Sequence, residues 1–241
     1  MIAQPIAAEH DVSPRPLVPP GGDAAVPSTR RSTLNVSPRL FAPIAAAPDS
    51  LPSSIESLVE DLWSRIQNGL NGRWPPWALP MLATHSREGP RARVLALRSI
   101  DPGERRFVFH TDARSAKIGE LESDSRVSLV FWDPHDVIEA RFSGIATLHC
   151  ADDIAADAWQ NVSPLRRLAS SITLPPAASL ARTSRFDSLA AIEDNDVAFR
   201  HFTVVHVTVT DLDWLWLGPG DMRRAMIRWA DGECSGTWVV P

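Results

Sequence analysis

Residues Arg93–Lys117 read RVLALRSIDPGERRFVFHTDARSAK, and the fold follows from how this stretch is parsed. Two apolar runs, Arg93 to Ile100 and Phe107 to Thr111, flank Asp101-Pro102-Gly103-Glu104. Proline then glycine at the centre of four residues is a type II turn signature, so the stretch predicts a β-hairpin. A short helix is expected next, over Ser115 to Glu122, with Ile118 and Leu121 facing inward.

Further β-runs are expected at Ala78 to Thr84, Val127 to Trp132, Glu139 to His149, His201 to Trp216, Met222 to Trp229 and Thr237 to Val240. Gly218-Pro219-Gly220-Asp221 supplies the turn between the two long C-terminal runs, and Trp74-Pro75-Pro76-Trp77 turns the chain into the first. A helix begins near Ser53, where Ser53 and Glu56 have capping-box spacing. Ile55, Leu58, Val59, Leu62, Ile66 and Leu70 form its apolar face, and Gly69 and Gly72 end it. Asp152 to Ser171 has helical character interrupted at Pro164. Strands joined by short turns give antiparallel pairing, and so many of them predict a mainly β barrel with flanking helices.

The chain has 241 residues, 44% hydrophobic and 22% charged, enough for one domain with a full core. Ten of its 21 prolines fall within the first 52 residues, so residues 1–50 are expected to be a disordered tail ahead of a domain at 51–241. A net charge of -5 speaks against a general nucleic-acid binder. No apolar run approaches the ~20 residues of a membrane helix, and no secretory signal is evident, so a cytoplasmic protein is expected. Cys150 and Cys234 lack ligand spacing and read as buried or half-buried free thiols. The histidines His85, His135, His149, His201 and His206 show no metal-binding spacing, so no metal is expected. Trp159, Trp214 and Trp229 read as core or interface residues.

Lys117 is the only lysine among the 24 Lys and Arg residues, and there is no tyrosine. An ammonium kept where arginine fills every other cation role draws attention to its neighbours. Thr111, Ser115 and Lys117 fall where a strand ends and a helix begins, with Arg114 in the same turn. Hydroxyls, free helix N–H groups and an ammonium together suit a phosphate. A plain helix start, capped by Ser115 or Asp112 with Lys117 in solvent, fits the same letters. The hairpin offers a way to bring Arg93 to the same place, with Arg98 at the other end of its run.

The stretch from Arg93 to Gly144 resembles the pyridoxamine 5′-phosphate oxidase-like FMN-binding split-barrel family. RVLALR, FVFHTDARSAK, RVSLVFW and a strand ending in glycine follow that family's order, and WLWLGPGDMRR with a terminal TWVVP resembles its closing segment. The resemblance implies FMN as cofactor and a homodimer whose sites are shared between subunits. It implies that Arg93, Val94, Leu95 and Arg98 line the flavin, with Arg93 at its phosphate. His110 and Thr111 would follow, Ser115 and Lys117 would complete the phosphate grip, and Trp216 would contact the flavin from the partner. Departures are also present. Ala116 stands where the oxidases carry an arginine, which Arg114 could replace. Glu139 stands where a glutamine meets the flavin's pyrimidine edge, and Met226 where an arginine reaches it, with Arg224 and Arg228 on the same strand face. Arg98, Met222 and Arg224 replace a Lys, Arg and His of the substrate set. The resemblance therefore implies an FMN-dependent oxidoreductase of unassigned small-molecule substrate. A non-catalytic protein that stores or senses FMN is the alternative, and a split barrel using a deazaflavin or haem a third.

Overall fold

The computed structural model describes residues 51–72, 76–180, 194–218 and 220–241. The proline-rich segment 1–50 and the first half of the Trp74–Trp77 turn lie outside the described residues. An N-terminal helix α1 (Ile55–Asn71) leads through a 3-10 turn (Pro76–Ala78) into β1 (Met81–Ser86), β2 (Gly89–Val94), β3 (Leu97–Asp101) and β4 (Arg106–Asp112). Then come α2 (Ala116–Ser123), β5 (Arg126–Asp133), β6 (Ile138–His149), α3 (Asp153–Gln160), α4 (Pro164–Ser171) and α5 (Asn195–Arg200). The chain closes with β7 (Phe202–Trp216), β8 (Arg223–Ala230) and β9 (Glu233–Val239). All strand pairs are antiparallel, in the order β2-β1-β5-β6-β7-β4-β3, with β8 on β7 and β9 on β8. This is a split β-barrel with flanking helices.

Alternation along the strands sorts the side chains. Phe107, Phe109, Phe131, Phe142 and Trp214 point into the barrel and are essentially inaccessible. Helix α1 adds Leu58, Leu62 and Ile66 to the same core, and its Trp63 ring lies 5.1 Å from that of Phe107. Each such side chain, fully buried, contributes about 1.5–3 kcal/mol of transfer free energy. A second cluster lies on the far side of the sheet, where Trp159 and Val162, with Ala198 of α5, cover Phe202 and Val204 of β7. Arg167 holds this layer by stacking 5.1 Å above Trp159 and donating to the Trp159 and Gln160 carbonyls at the end of α3 and to that of Val162 beyond it. Elsewhere the outer face has no helix over it in the described residues. Met81 (46% exposed) and Val94 (60%) sit opposite each other there, and Trp132 (45%) and Met226 (50%) are also open.

Several details differ from the sequence reading. The apolar run Arg93 to Ile100 is two strands: β2 pairs with β1, β3 pairs with β4, and Leu95 donates across the break to the Pro80 carbonyl. The hairpin loop is not type II, because Gly103 keeps a negative φ and Arg105 takes the left-handed conformation (φ 50). Ser54 and Ser57, rather than Ser53 and Glu56, form the capping box. Gly69 lies within α1 as a packing residue, and a Cβ there would come 2.7 Å from Trp77 Cβ. The first strand starts at Met81, after a 3-10 turn locked by the Trp77 indole donating to Asp133 at 2.8 Å. The last strand begins four residues early, at Glu233. Both cysteines are exposed, not buried, although Cys150 lies 3.2 Å from the Thr203 hydroxyl. No helix among the described residues is long and apolar enough to cross a membrane.

Gly144 marks the register shift between β6 and β7, and a Cβ there would stand 2.5 Å from the Thr208 carbonyl oxygen. Gly119 in α2 has open space around it. Gly144→Ala is expected to cost about 1–3 kcal/mol, since main chain must shift. Gly119→Ala is expected to be neutral or to stabilise by up to ~1 kcal/mol. Urea unfolding of the two variants checks both, and equal effects would show that the close approach at Gly144 is not a constraint.

Candidate functional site

Strand β4 carries the chain out of the core to Thr111 and Asp112, and α2 starts four residues later. Ser115 is the N-cap of α2, yet its hydroxyl makes no capping hydrogen bond. It accepts from the Lys117 ammonium at 2.6 Å, and the Thr111 hydroxyl accepts from the same ammonium at 2.8 Å. The plain helix start with Lys117 in solvent is therefore not what forms. Burial lowers the pKa of Lys117, and the Arg93 charge lowers it further; Asp112 and Glu120 work the other way. Three of the sequence-derived residues thus meet in one cluster, with the Arg93 charge close enough to act on it.

Arg93 reaches this region by a different route from the one expected. It stands on β2 and donates to Thr84 of β1 and, at 2.6 Å, to Glu120 of α2. Arg93, Ala116, Gly119 and Glu120 line a cleft of about 690 Å³ together with Arg87 and the ion-paired Glu88 and Arg91. That volume lies within the ~300–1,000 Å³ usual for small-molecule sites. Arg114 is committed elsewhere. Its guanidinium grips both oxygens of Asp112 (3.0 and 2.7 Å) and donates to the carbonyls of Ile172 and Thr173 beyond α4. Val94 ends β2 and is exposed, and Leu95 opens the β2–β3 link half-buried.

A second cationic group lies on the other face of β4. Arg98 is the extra residue of a bulge in β3, between Leu97, paired with Phe109, and Ser99, paired with Val108. Bulges re-aim a side chain, and here Arg98 is left with a buried Nε that has no partner among the described residues. Burial and the charge of Arg166 on α4 lower its pKa. His110 packs edge-on against Phe202 at 4.9 Å. Burial, then Arg98, Arg166 and His206, press its pKa down to about 4, so the ring is neutral at pH 7. No carboxylate figures among the groups acting on Arg98 or His110.

The remaining sequence-derived residues lie apart from these clusters. Glu139, half-buried on the outer face of β6, pairs with Arg141 at 3.2 Å. Asp213 of β7 accepts from Arg141 and from Arg224 of β8 (2.9 and 2.7 Å). The Arg224 hydrogen bonds lead the effects that hold the Asp213 carboxyl below its ordinary range. Arg141, Asp213, Met226 and Arg228 line a groove of about 910 Å³ on this face. Trp216 points the other way, is 3% exposed, and packs so closely on Gly218 that a Cβ there would come 2.0 Å from the indole. Sequence reasoning missed Thr84, Glu120, Arg166 and Asp213. Only Glu120 carried a local signal, since it follows Lys117 by one helical turn. Among the described residues no group of three or more His, Cys, Asp or Glu is arranged for a metal ion.

The fold is a split barrel in which Thr111, Ser115 and Lys117 gather where β4 gives way to α2. Residues 79–182 match the family model described as pyridoxamine 5′-phosphate oxidase. A pyridoxine/pyridoxamine 5′-phosphate oxidase of Microcystis aeruginosa is 48% identical over 63 residues, a stretch that spans 26% of this chain and 28% of that relative. Among solved structures, a pyridoxamine 5′-phosphate oxidase-related, FMN-binding protein of Nostoc punctiforme superposes with a TM-score of 0.61 at 21% identity. It covers 80% of this chain and 100% of its own. PhzG from Burkholderia lata, in complex with tetrahydrophenazine-1-carboxylic acid, gives 0.60 at 19% identity, covering 80% and 95%. Over residues 79–182 the chain is similar to the pyridoxamine 5′-phosphate oxidase family, and its fold is that of the split-barrel structures.

The two depressed histidines set a pH dependence. His206, like His110, is pressed down to about 4, by burial and then by His149 and Arg106. Both prefer the neutral form when folded, whereas the unfolded chain takes up protons from about pH 6.5. Their contribution to stability is therefore complete above pH 6.5 and lost as pH falls toward 4. Replacing both by Gln is expected to flatten the decline in urea midpoint across that window. An unchanged decline would mean that neither histidine is shielded as described.

Proposed function

We propose that the protein is a cytoplasmic, homodimeric FMN-dependent oxidoreductase acting on a small anionic molecule. The observation that carries this reading is the Lys117 ammonium shared by the Thr111 and Ser115 hydroxyls at the start of α2, beside Arg93. An ammonium, a guanidinium, two hydroxyls and a helix N-terminus are the donors a phosphate monoester needs. Lys117, Ser115, Thr111 and Arg93 would hold the FMN phosphate, with Val94 and Leu95 beside the ribityl and ring. Bound there, FMN would supply the redox chemistry, and the protein binding, orientation and charge.

Arg98, Arg166 and His110 support an anionic substrate group, because two guanidiniums with no carboxylate acting on the buried one lack a counter-charge. The neutral His110 ring is able to donate or accept one hydrogen bond beside that group. Glu139 and Arg224 would meet the flavin from the partner subunit, as would Trp216 once its indole, packed on Gly218 and 3% exposed in the single chain, is uncovered. Two observations support that sharing. Thr111 follows the core-facing Phe107 and Phe109 along β4, whereas Glu139 lies on the outer face of the sheet, so one flavin would have to cross the sheet to meet both in a single chain. The open face around Met81, Val94, Trp132 and Met226 offers apolar surface for a second copy. Arg114, tied to Asp112, stands behind the phosphate residues as support for the loop that presents them. The domain that would carry this chemistry is 51–241.

Lys117→Ala tests the phosphate grip. A charge-assisted hydrogen bond is typically worth ~1.5–3 kcal/mol, so FMN affinity is expected to fall by roughly ten- to a hundredfold while riboflavin binding is unaffected. Fluorescence titration with the two flavins measures this, and unchanged FMN affinity would remove Lys117 from the site. Reduction and reoxidation of the bound flavin with an added electron donor separates an oxidoreductase from a storage or sensor protein.

A further inference from the structure

Glu120 belongs to no part of the phosphate set, yet it is bound to it from two sides. From α2 its carboxylate accepts from Arg93 at 2.6 Å and from the Thr84 hydroxyl at 2.5 Å, while Arg93 also donates to Thr84. Side chains from α2, β2 and β1 thus close a triangle. Thr84 is 4% exposed, and the Glu120 and Arg93 side chains are 11% and 24% exposed. Burial pushes the Glu120 carboxyl up, but hydrogen bonds from Thr84 and Arg93 with the charges of Arg93 and Arg91 outweigh it and hold the group ionised. Lys117 precedes Glu120 by one turn on the same helix face, and Glu120 is one of two carboxylates sustaining its charge against burial and Arg93.

We infer that Glu120 is a positioning residue: it fixes the Arg93 guanidinium by one edge and turns the rest of its fork toward a phosphate. This rests on the FMN reading above. Arg93 uses one N–H on Thr84 and one on Glu120, which leaves the other donors of the fork for an oxyanion. A long side chain free to swing away also loses rotamer entropy on being recaptured. A carboxylate acting only as a competitor for Arg93 predicts the opposite sign, because its removal would strengthen phosphate binding.

The test titrates the full-length protein and its Glu120→Ala, Glu120→Asp and Glu120→Gln variants with FMN and with riboflavin, which has the same ring but no phosphate. Glu120→Ala is expected to weaken FMN by roughly tenfold or more and leave riboflavin unchanged. Glu120→Asp keeps the charge but not the reach, and is expected to lose FMN to a similar degree. Glu120→Gln keeps an acceptor at the right distance and is expected to stay within about threefold of wild type. Tighter FMN binding in any variant overturns the inference in favour of competition. Equal loss of both flavins overturns it in favour of a merely structural role, and wild-type affinity in Glu120→Asp overturns it in favour of charge alone. A wild-type protein that binds neither flavin overturns the FMN reading itself and this inference with it. Wild-type FMN binding that survives unchanged in Glu120→Ala overturns the inference alone.

Discussion

The pairing of β6 with β7 is the constraint from which the rest of the molecule follows. β7 runs for 15 residues and pairs with β6 along nearly its whole length. Its first half also takes β4 as a neighbour, and its second half takes β8. One strand therefore fixes where β4 ends, and with it where Thr111 and the start of α2 stand. The same strand fixes the register of Asp213 and Arg224 on the opposite half. The shift at Ser143/Gly144 lets β7 turn from one set of neighbours to the other, and glycine there allows main chain to approach main chain. With alternation fixed by the ladder, every strand side chain is assigned to the core or to the outer face.

That assignment organises the charges as well. Cations in this barrel are mostly met by carboxylates from a neighbouring element: Arg65 by Asp61 and Asp136, Arg114 by Asp112, Arg224 by Asp213, Arg93 by Glu120. Three departures stand out against this rule, one of them the buried Nε of Arg105, which has no partner among the described residues. The other two are Lys117, met by hydroxyls alone, and Arg98, whose buried Nε is likewise unpartnered. Half-buried cations without carboxylate partners are costly unless an anion completes them. Lys117 and Arg98 flank the end of β4, one on each face, which is the arrangement expected of a site that takes a phosphate on one side and an anionic reactant on the other.

Much of this was legible locally. The alternation of Phe107 and Phe109, the hydroxyls at 111 and 115 and the single lysine at 117 lie within one strand end and one helix turn, so short-range rules reach them. Tertiary partners were not legible. The β2–β3 break hides inside a continuous apolar run, since its cause is the hydrogen bond from Leu95 to the distant Pro80 carbonyl. Arg166 comes from α4 and Thr84 from β1, and no spacing in the chain announces that they approach β4 and β2. Proline and glycine at 102 and 103 suggested the wrong turn because the left-handed position fell to Arg105, where sequence preference for it is weak. The family resemblance carried the cofactor, while the geometry of Glu139 and Arg224, each already holding an ion-pair partner, came only with the structure.

The most direct measurement is the visible absorption spectrum of the purified protein, followed by mass analysis of what it releases on denaturation. A flavin spectrum with FMN released, close to one per chain, is the predicted result. A colourless protein that takes up no added FMN, or one that releases a deazaflavin or haem, would contradict the account.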